Sequence, residues 1–377
     1  MVKVKVNDKT FELFKQIDVS SSIDNVLNEA QIVVTEQANN NSFIKIGDMI
    51  KIYLDDVISF TGYADLMSDS EDNESHDIVF RLRDKACDLI DSTVPNNCKN
   101  LVGVKKLKDL IEKAIKGLSL DLTVTDNSNT ELNDTQKAGE VGQNCGDFLT
   151  TYARVNQCIL NTDPQGNIII RSFNDKLKTM LLNKKNGKNN NILSSNIDID
   201  FSQRFYKYIV RSQGNLSDDT TYASVKGEAI DDGVRKTRVF EKIAEKPMTK
   251  AECDQAAKET ANLNRIRGFN YECTVVGFSG NGELWEVGKL VKVEDDFKGI
   301  DGWFLIKNVD YAYSENGEIT KIILTYQDAY KKEPATKQKV NTYMQASKYP
   351  TPTKATTDNS VKKNKGFYET KRTEKKK

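Results

Sequence analysis

Apolar and polar residues alternate with a period of two in two separate parts of the chain. In residues 269–276 the apolar side chains fall on every second position, at Phe269, Tyr271, Cys273 and Val275. Such alternation predicts strands with one buried face, and the Asn-Gly and glycine-rich turns between successive runs predict antiparallel hairpins. Residues 269–330 are therefore predicted to form a small antiparallel sheet or barrel.

The first 90 residues repeat this pattern. Ile50, Ile52 and Leu54 share one face of a predicted strand, and the Asp55-Asp56 pair after it predicts a turn. About five runs of this size, each with one apolar face, favour a compact barrel or sandwich. The predicted fold class is mainly β with α+β inserts, and the chain is expected to contain two small β-barrels.

Helical spacing replaces alternation in residues 91–200. Two segments place apolar side chains three and four positions apart with polar side chains opposite, which predicts amphipathic helices. Short strand patterns flank both helices, so this part of the chain is predicted as an α+β insert domain. The apolar positions of the two helices are Leu107, Leu110, Ile111, Ala114, Ile115, Leu118, Phe148, Leu149, Tyr152 and Ala153.

A capped helix is predicted near the end of residues 201–268. Thr249 and Glu252 have the spacing of a capping box, and Gly268 is the expected stop. The part before this helix is strand-rich, and we expect its first strand to join the second barrel. The predicted domains are the N-terminal β-barrel at 1–90, the α+β insert at 91–200, the strand-rich segment at 201–268, the second β-barrel at 269–330 with 201–214, and a basic tail at 331–377.

Charge is distributed unevenly along the chain. The 377 residues carry 55 Lys and Arg against 55 Asp and Glu, so the formal net charge is zero. The tail at 331–377 contains about 14 basic and about 4 acidic side chains, which leaves the rest of the chain acidic. The tail also lacks hydrophobic periodicity and is predicted to be flexible. No apolar run is long enough to span a bilayer.

Residues with catalytic chemistry are sparse. No two cysteines have CxxC spacing, which favours buried thiols in a reducing cytoplasm over a disulfide framework or a zinc site. His76, the one histidine, borders an acidic loop, and a solvated position is favoured over a catalytic or metal-binding role. No pair of carboxylates stands out for glycosidase chemistry. We therefore predict no catalytic, cofactor-binding or metal-binding residue; the cysteines are Cys87, Cys98, Cys145, Cys158, Cys253 and Cys273.

Other motifs have structural explanations. The glycine-rich segment at 277–282 lacks the order of a phosphate loop and is predicted to be a turn. Asp295, Asp296 and Asp301 lie close in sequence without calcium-loop spacing. Trp285 and Trp303 are expected to pack in the core, with partner anchoring as the alternative. The basic tail could contact nucleic acid, dock on an acidic protein surface or remain solvated, and its aromatic residues are Tyr343, Tyr349, Phe367 and Tyr368.

Several segments, in order along residues 1–330, resemble the Mu-like phage tail protein P, the baseplate hub family. The resemblance is distributed over many short pieces, and its weight comes from their joint order and spacing. Gly288 stands where this family commonly has asparagine. The segments are FTGYADLM at 60–67, LRDKACDLID at 82–91, LKDLIEKAIKGLSLDLTV at 107–124, RFYKYIVRSQG at 204–214, GNGELWEVGKLVKVED at 280–295 and the closing hairpin at 302–330.

The resemblance implies a structural protein without catalytic residues or cofactors. Hubs of this family, like the related T4-like hub and the base of type VI spikes, are homotrimeric rings in which two barrels per chain match a hexameric tail tube to a trimeric spike. The implied partners are further copies of the chain, the tail tube protein, the central spike protein and other baseplate components, with no stable nucleic-acid complex. The implied location is the virion tail baseplate, assembled in the bacterial cytoplasm, and the inward face of the ring is expected to be polar and charged.

Alternative functions remain open at the level of sequence. A tail-associated cell-wall hydrolase would need a carboxylate, histidine or cysteine site, and only His76 offers a starting point. Binding of nucleic acid would have to depend on the basic tail at 331–377. The hub could also serve a tailocin or another phage-derived injection system, which the sequence does not distinguish from an infectious phage.

Overall fold

Alternating side chains enter the core at both ends of the chain, as the pattern predicts. In Phe269–Val276 every second side chain is buried, and Ile50, Ile52 and Leu54 are buried likewise. The computed structural model describes residues 1–35, 44–71, 76–128, 130–132, 138–156, 158–171, 180–185, 190–213, 225–244 and 247–326. The predicted tail at 331–377 lies outside these residues.

The described residues form twenty-one strands and four α-helices. The strands β1–β21 are, in chain order, Val2–Val6, Lys9–Phe11, Gln16–Ser22, Glu29–Thr35, Met49–Leu54, Val57–Glu71, His76–Asp84, Val124–Asp126, Ile159–Thr162, Ile168–Arg171, Met180–Lys184, Ile192–Ile199, Lys207–Arg211, Lys226–Ile230, Val239–Ile243, Phe269–Val276, Ser279–Gly280, Glu283–Leu284, Leu290–Asp295, Ile300–Ser314 and Gly317–Tyr326. The helices α1–α4 are Cys87–Asp91, Leu107–Gly117, Cys145–Val155 and Lys250–Arg267.

Strands from residues 2–84 and from residues 180–326 form one continuous sheet of thirteen strands. Its main order is β12-β16-β21-β20-β3-β4-β7-β6-β5-β1-β2, and β19 and β11 extend it beside β20. The link between the ends is the antiparallel pairing of β3 with β20, from Tyr313 opposite Ile17 to Asn308 opposite Ser22. We call this pairing the seam. The mainly β fold class is confirmed, whereas closure of either end into a barrel stays a prediction.

A bulge in β20 allows this long strand to have two partners along one edge. Residues 300–305 pair with β19, and residues 308–313 pair with β3. Between them the register against β21 shifts at Ile306 and Asn308, which leaves Lys307 as the extra residue. A bulge bends a strand and increases its local twist. The carbonyl of Lys307 accepts a hydrogen bond of 2.9 Å from the backbone N–H of Ile23, which follows β3.

Apolar side chains on one face hold the seam in register. Ile17 and Val19 of β3 and Val309 and Tyr311 of β20 are all buried. Because paired residues share a face, a slip of one position would expose these side chains and bury polar ones. The seam is therefore specified by the same alternation that predicts the strands.

The insert has its own core, beneath the three-stranded sheet β8-β10-β9. The helices predicted by spacing are confirmed, and α2 buries five side chains along one face. Strands β11 and β12, which the predicted boundaries assign to the insert, instead pair with β19 and β16 of the large sheet. The buried face of α2 consists of Leu107, Leu110, Ile111, Ala114 and Ile115.

The expected place of residues 201–214 in the second barrel needs correction. Strand β13 pairs with β14 and β15 in a separate three-stranded sheet. Its alternate residues Tyr208 and Val210 are buried in a cluster with Ala257 of α4, so the small-residue face of the helix gives this strand a partner of its own. The predicted capping box of Thr249 and Glu252 at the start of α4 is confirmed.

Close approach of α4 to β14 requires a glycine. A Cβ on Gly227 would lie 2.0 Å from the carbonyl carbon of Cys253 and 2.1 Å from the backbone nitrogen of Asp254. Both atoms belong to the helix backbone, so a side chain at this position would force the helix away from the sheet.

We expect Gly227→Ala to lower the free energy of unfolding by about 3 kcal/mol, measured by chemical denaturation, because the helix must move. Gly277→Ala is the matched control, since Gly277 has a positive φ of 75° but no atom within 4 Å of its added Cβ. Its cost should be about 1 kcal/mol, from backbone strain alone. Equal losses for the two variants would contradict close helix–sheet packing.

Candidate functional site

The outward face of the sheet carries a continuous row of polar side chains across the seam. Paired residues in neighbouring strands share a face, so the register defines the row directly. It runs over six adjacent strands, from β16 to β7, and so spans both ends of the chain. Its members are Thr274, Lys321, Asp310, Ser20, Glu29 and Arg83. We call this surface the polar face.

Acidic and basic side chains are mixed on the polar face. Ser20 donates a hydrogen bond of 2.5 Å to Asp310 across the seam, and Lys321 lies 3.0 Å from Glu272. The neighbouring row places Asp18 opposite Gln31. Burial and the nearby Asp310 carboxylate raise the pKa of Asp18, while a hydrogen bond from Gln16 opposes them. The next row on the same face pairs exposed Val276 with exposed Ile319 and Ile319 with Ala312, so the polar face borders apolar side chains on the β21 side of the seam.

Buried polar contacts fasten the insert to the N-terminal strands. The side-chain amide of Asn161, at 2% exposure, donates to the backbone carbonyls of Ser22 at 3.1 Å and Asn25 at 2.7 Å. Asn28 donates to the Thr162 hydroxyl at 3.0 Å. Because buried donors and acceptors are costly when unpaired, these bonds fix the position of β9 against the end of β3.

Asp84 lies at the centre of this junction, at 1% exposure. Its carboxylate accepts hydrogen bonds from the Thr162 hydroxyl and from the backbone N–H groups of Asn28 at 3.2 Å and Ala86 at 3.4 Å. Burial nevertheless raises the pKa of Asp84 to about 7. A Cβ on Gly166 would lie 2.8 Å from its carboxylate oxygen, so a glycine turn packs directly against it.

The residues with catalytic potential are dispersed. His76 Nε2 lies 2.6 Å from the carboxylate of Asp69 across the β6–β7 hairpin, and the Asp69 side chain is half-exposed. All six cysteines are free and buried, as predicted. Burial raises the pKa of the Cys87, Cys145 and Cys273 thiols to about 12, which opposes thiolate formation. The absence of a catalytic residue stays a prediction.

Asp295, the last residue of β19, is a buried hydrogen-bond acceptor that stabilises the fold. Asp295 is fully buried and accepts hydrogen bonds from the Tyr271 hydroxyl at 2.8 Å and the Ser195 hydroxyl at 2.9 Å. Backbone N–H groups of Phe297 and Lys298 bind its other oxygen. Among the residues that the structure describes, no group of three or more His, Cys, Asp or Glu is placed to hold a metal ion.

The two tryptophans have different environments. Trp285 is 1% exposed, which confirms the prediction of core packing, and its backbone carbonyl accepts from the buried Tyr311 hydroxyl. Trp303 is 42% exposed, so core packing is wrong for this residue. The glycine-rich segment before Trp285 forms the β17–β18 hairpin, with positive φ at Asn281 and Gly282, as expected of a turn.

The burial of Asp84 escapes sequence reasoning. Asp84 stands at the end of β7, where a charged residue is ordinarily solvated. Its burial arises from contacts between distant parts of the chain, which no local pattern records. The sequence feature that could have indicated the position of Asp84 is the run LRDKACDLID at 82–91. In this run Asp84 separates a strand from a helix with apolar residues.

The two segments of the chain that form most of the large sheet match models of a known protein family. Residues 1–84 match the N-terminal domain of the GpP-like Mu phage baseplate assembly proteins, and residues 248–333 match the fourth domain of the Mu phage baseplate assembly protein GpP. Two segments of the chain are therefore similar to domains of the GpP-like baseplate assembly family. The seam joins these two matched segments into one sheet. None of the curated proteins matches the sequence.

Solved structures of phage tail proteins share the fold. The 43 kDa tail protein of prophage MuSo2 from Shewanella oneidensis has a TM-score of 0.70 at 21% identity, covering 87% of this chain and 98% of that chain. The tail protein from Neisseria meningitidis MC58 has a TM-score of 0.72 at 20% identity, covering 88% and 98%. An Escherichia coli type VI secretion component, described as similar to the T4 tail proteins gp27 and gp5, has a TM-score of 0.50 at 11% identity, covering 88% and 79%.

A complex of VgrG with PdpA from Francisella contains a chain of related fold. Its TM-score is 0.50 at 10% identity, covering 87% of this chain and 57% of that chain. At such identities these likenesses show the fold alone.

The described part of the chain contains no helix with the length and apolarity needed to cross a membrane.

We expect the stability of the protein to fall as the pH rises from about 4 to about 7. The folded state keeps the Asp84 proton up to a pKa of about 7, whereas the unfolded chain loses it near 3.8, so folding binds a proton in this interval. The loss should reach up to about 4 kcal/mol. Asp84→Asn should remove this part of the pH dependence, measured as the free energy of unfolding at several pH values.

Asp18→Asn is the control, since the pKa of Asp18 is also raised but this residue is only half-buried. Its effect on the pH dependence should be smaller than that of Asp84→Asn. A wild-type slope that survives Asp84→Asn unchanged would contradict a protonated carboxyl at the junction.

Proposed function

We propose that this protein is the baseplate hub of a contractile phage tail, a homotrimeric ring that adapts a hexameric tail tube to a trimeric spike. The observation that carries the proposal is the single sheet that joins the first and fourth family domains through the seam. A protomer with one β unit from each domain contributes two similar units to a ring. Three such protomers provide six units, which is the arrangement that a three-to-six adapter needs.

The polar face is proposed to line the central channel of the ring. A channel that passes a genome or an extended protein must not adsorb it, and mixed charges on a hydrated surface favour weak contacts. The row from Thr274 to Arg83 crosses the seam without an apolar interruption. This supports the polar inward face that the family resemblance implies.

The proposed partners are the tail tube protein, the central spike protein and other baseplate components. Support comes from the family and from the fold shared with a VgrG complex and with a type VI secretion component. The proposed location is the tail baseplate of a virion, assembled in the cytoplasm of the bacterial host. The proposed role is structural, without catalysis. A tailocin or another phage-derived injection system would use the same adapter.

Distances between spin labels test the ring and the orientation of the polar face together. Because the six native thiols are buried, a single introduced surface cysteine can be labelled selectively. In a three-fold ring, the distance between equivalent labels is proportional to their distance from the axis. We expect labels at Ser20→Cys, on the polar face, to lie closer together than labels at Lys116→Cys, on the exposed side of α2 in the insert.

Both positions are exposed, which makes them comparable labelling sites. The measurement is made on the full chain, alone and with the spike protein from the same particle. Shorter distances at position 116 than at position 20 would contradict the polar face as the channel lining. Absence of any label-to-label interaction under both conditions would contradict the ring.

A further inference from the structure

A groove of about 530 Å³ lies between the insert and α4. Its lining comes from α3, from α4, from the start of β9 and from the residues that follow β3. The lining residues that are buried are all apolar, so the groove has an apolar floor. These buried residues are Ile23, Ala153, Cys158 and Leu160.

Further apolar side chains of the groove are open to solvent. Leu263 of α4 is 44% exposed, and Val26 and Ile159 are half-buried. These three residues come from α4, from the segment after β3 and from β9, so one apolar group placed in the groove could contact all three. Removing their exposed surface from water would favour the binding of a partner with an apolar side chain.

The charged residues of the lining carry an excess of negative charge. Three carboxylates stand against one guanidinium, which gives the lining a net charge of −2. Lys307, which is not part of the lining, lies 3.1 Å from Asp24 and reduces this excess to −1. A partner with positive charge beside its apolar group would therefore be favoured. The carboxylates belong to Asp24, Asp147 and Glu259, and the guanidinium belongs to Arg154.

The loop before α2 has the opposite character. Residues 99–106, KNLVGVKK, contain three lysines, all exposed, and no acidic residue. Val102 in this loop is 88% exposed, the highest fraction among the large apolar side chains of the described residues. The nearest carboxylate that follows in sequence, that of Asp109, accepts a hydrogen bond from the backbone N–H of Lys106 at the start of α2. We call residues 99–106 the basic loop.

The backbone of the basic loop forms a defined turn. The N–H of Val104 donates to the carbonyl of Leu101 at 3.0 Å, and Gly103 has a φ of 83°, as the third position of a type II turn requires. The side chain of Asn100 accepts a hydrogen bond of 2.9 Å from the N–H of Val102. Because the turn is formed in the free chain, less conformational entropy is lost when it binds.

We infer that the basic loop of one chain binds in the groove of a neighbouring copy, with Val102 against the apolar floor and the lysines beside the carboxylates. The inference rests on the proposed ring and names a contact that would close it. No residue of the basic loop lines the groove of its own chain. Because the loop and the groove are different surfaces, the contact is head-to-tail, and contacts of this kind generate rings when the rotation closes.

Crosslinking between introduced cysteines tests this contact. Val102→Cys and Leu263→Cys each replace an exposed side chain, and the six native thiols are buried. We expect a short bismaleimide to join full chains that carry both substitutions into dimers and trimers, in the presence of the spike protein from the same particle. An equimolar mixture of the two single variants should give crosslinked dimers and no larger product, because each chain then supplies only half of the contact.

Val141→Cys combined with Leu263→Cys is the matched control. Val141 is 84% exposed, belongs to the insert and precedes Gly142, whose φ is 80°, so it resembles Val102 in exposure and local backbone. Its neighbour in sequence is the acidic Glu140, and no lysine lies within three residues of it. Crosslinking of this pair should be at least about tenfold slower than that of the Val102 and Leu263 positions, since an acidic loop is repelled by an acidic groove.

Charge reversal tests the electrostatic part of the contact. Lys105→Glu, added to the variant with cysteines at 102 and 263, should slow crosslinking at least about threefold, because a carboxylate would then approach the acidic groove. Lys116→Glu reverses another exposed lysine of the insert, outside the basic loop, and should leave the rate unchanged.

Light scattering of the same samples before crosslinking separates failure of the contact from failure of the ring. A trimer in which the pair at 102 and 263 reacts no faster than the pair at 141 and 263 overturns the contact and leaves the ring in place. The contact is also overturned if Lys105→Glu slows crosslinking no more than Lys116→Glu does. A monomer, with and without the spike protein, overturns the ring and the contact together.

Discussion

The pairing of β3 with β20 is the contact on which the rest of the structure depends. It brings together strands almost 300 positions apart, as the hydrogen bond from Ser20 to Asp310 illustrates. Closing so long a loop is entropically unfavourable, and the cost is offset by the apolar side chains buried beneath the pairing. Without the seam, β3 and the second half of β20 would each present an unpaired edge. With it, the two segments that match family domains share one sheet and one polar face.

The insert is held to this sheet by a different kind of contact. Asn161, Thr162 and Asp84 make directional hydrogen bonds that fix its position, and Val26 and Leu27, between β3 and β4, also pack against the apolar core of the insert. Buried polar contacts of this type contribute less to net stability than apolar burial, but they tolerate little displacement. Asp84 even opposes folding when it is ionised. The junction therefore favours one geometry at some expense of stability near neutral pH.

Local patterns in the sequence predict individual elements but few of their long-range partners. Alternation predicts the strands and their buried faces, and the Thr249–Glu252 capping box predicts the start of α4. The seam is not predicted, because alternation specifies which face of a strand is buried and is silent on which strand lies beside it. Strand β12 is missed for a local reason: it buries Ile192 but otherwise carries mostly exposed or polar positions. The burial of Asp84 depends on the N-terminal strands meeting the insert, so no window of sequence contains it.

The mass of the purified protein in solution, measured by light scattering with and without its spike protein, tests the central claim most directly. The account predicts a particle of three times the 42.5 kDa chain, either alone or once the spike is added. A monomer that ignores both the spike and the tail tube protein would contradict it. In that case the shared sheet would be evidence of fold only, and the adapter role would fail.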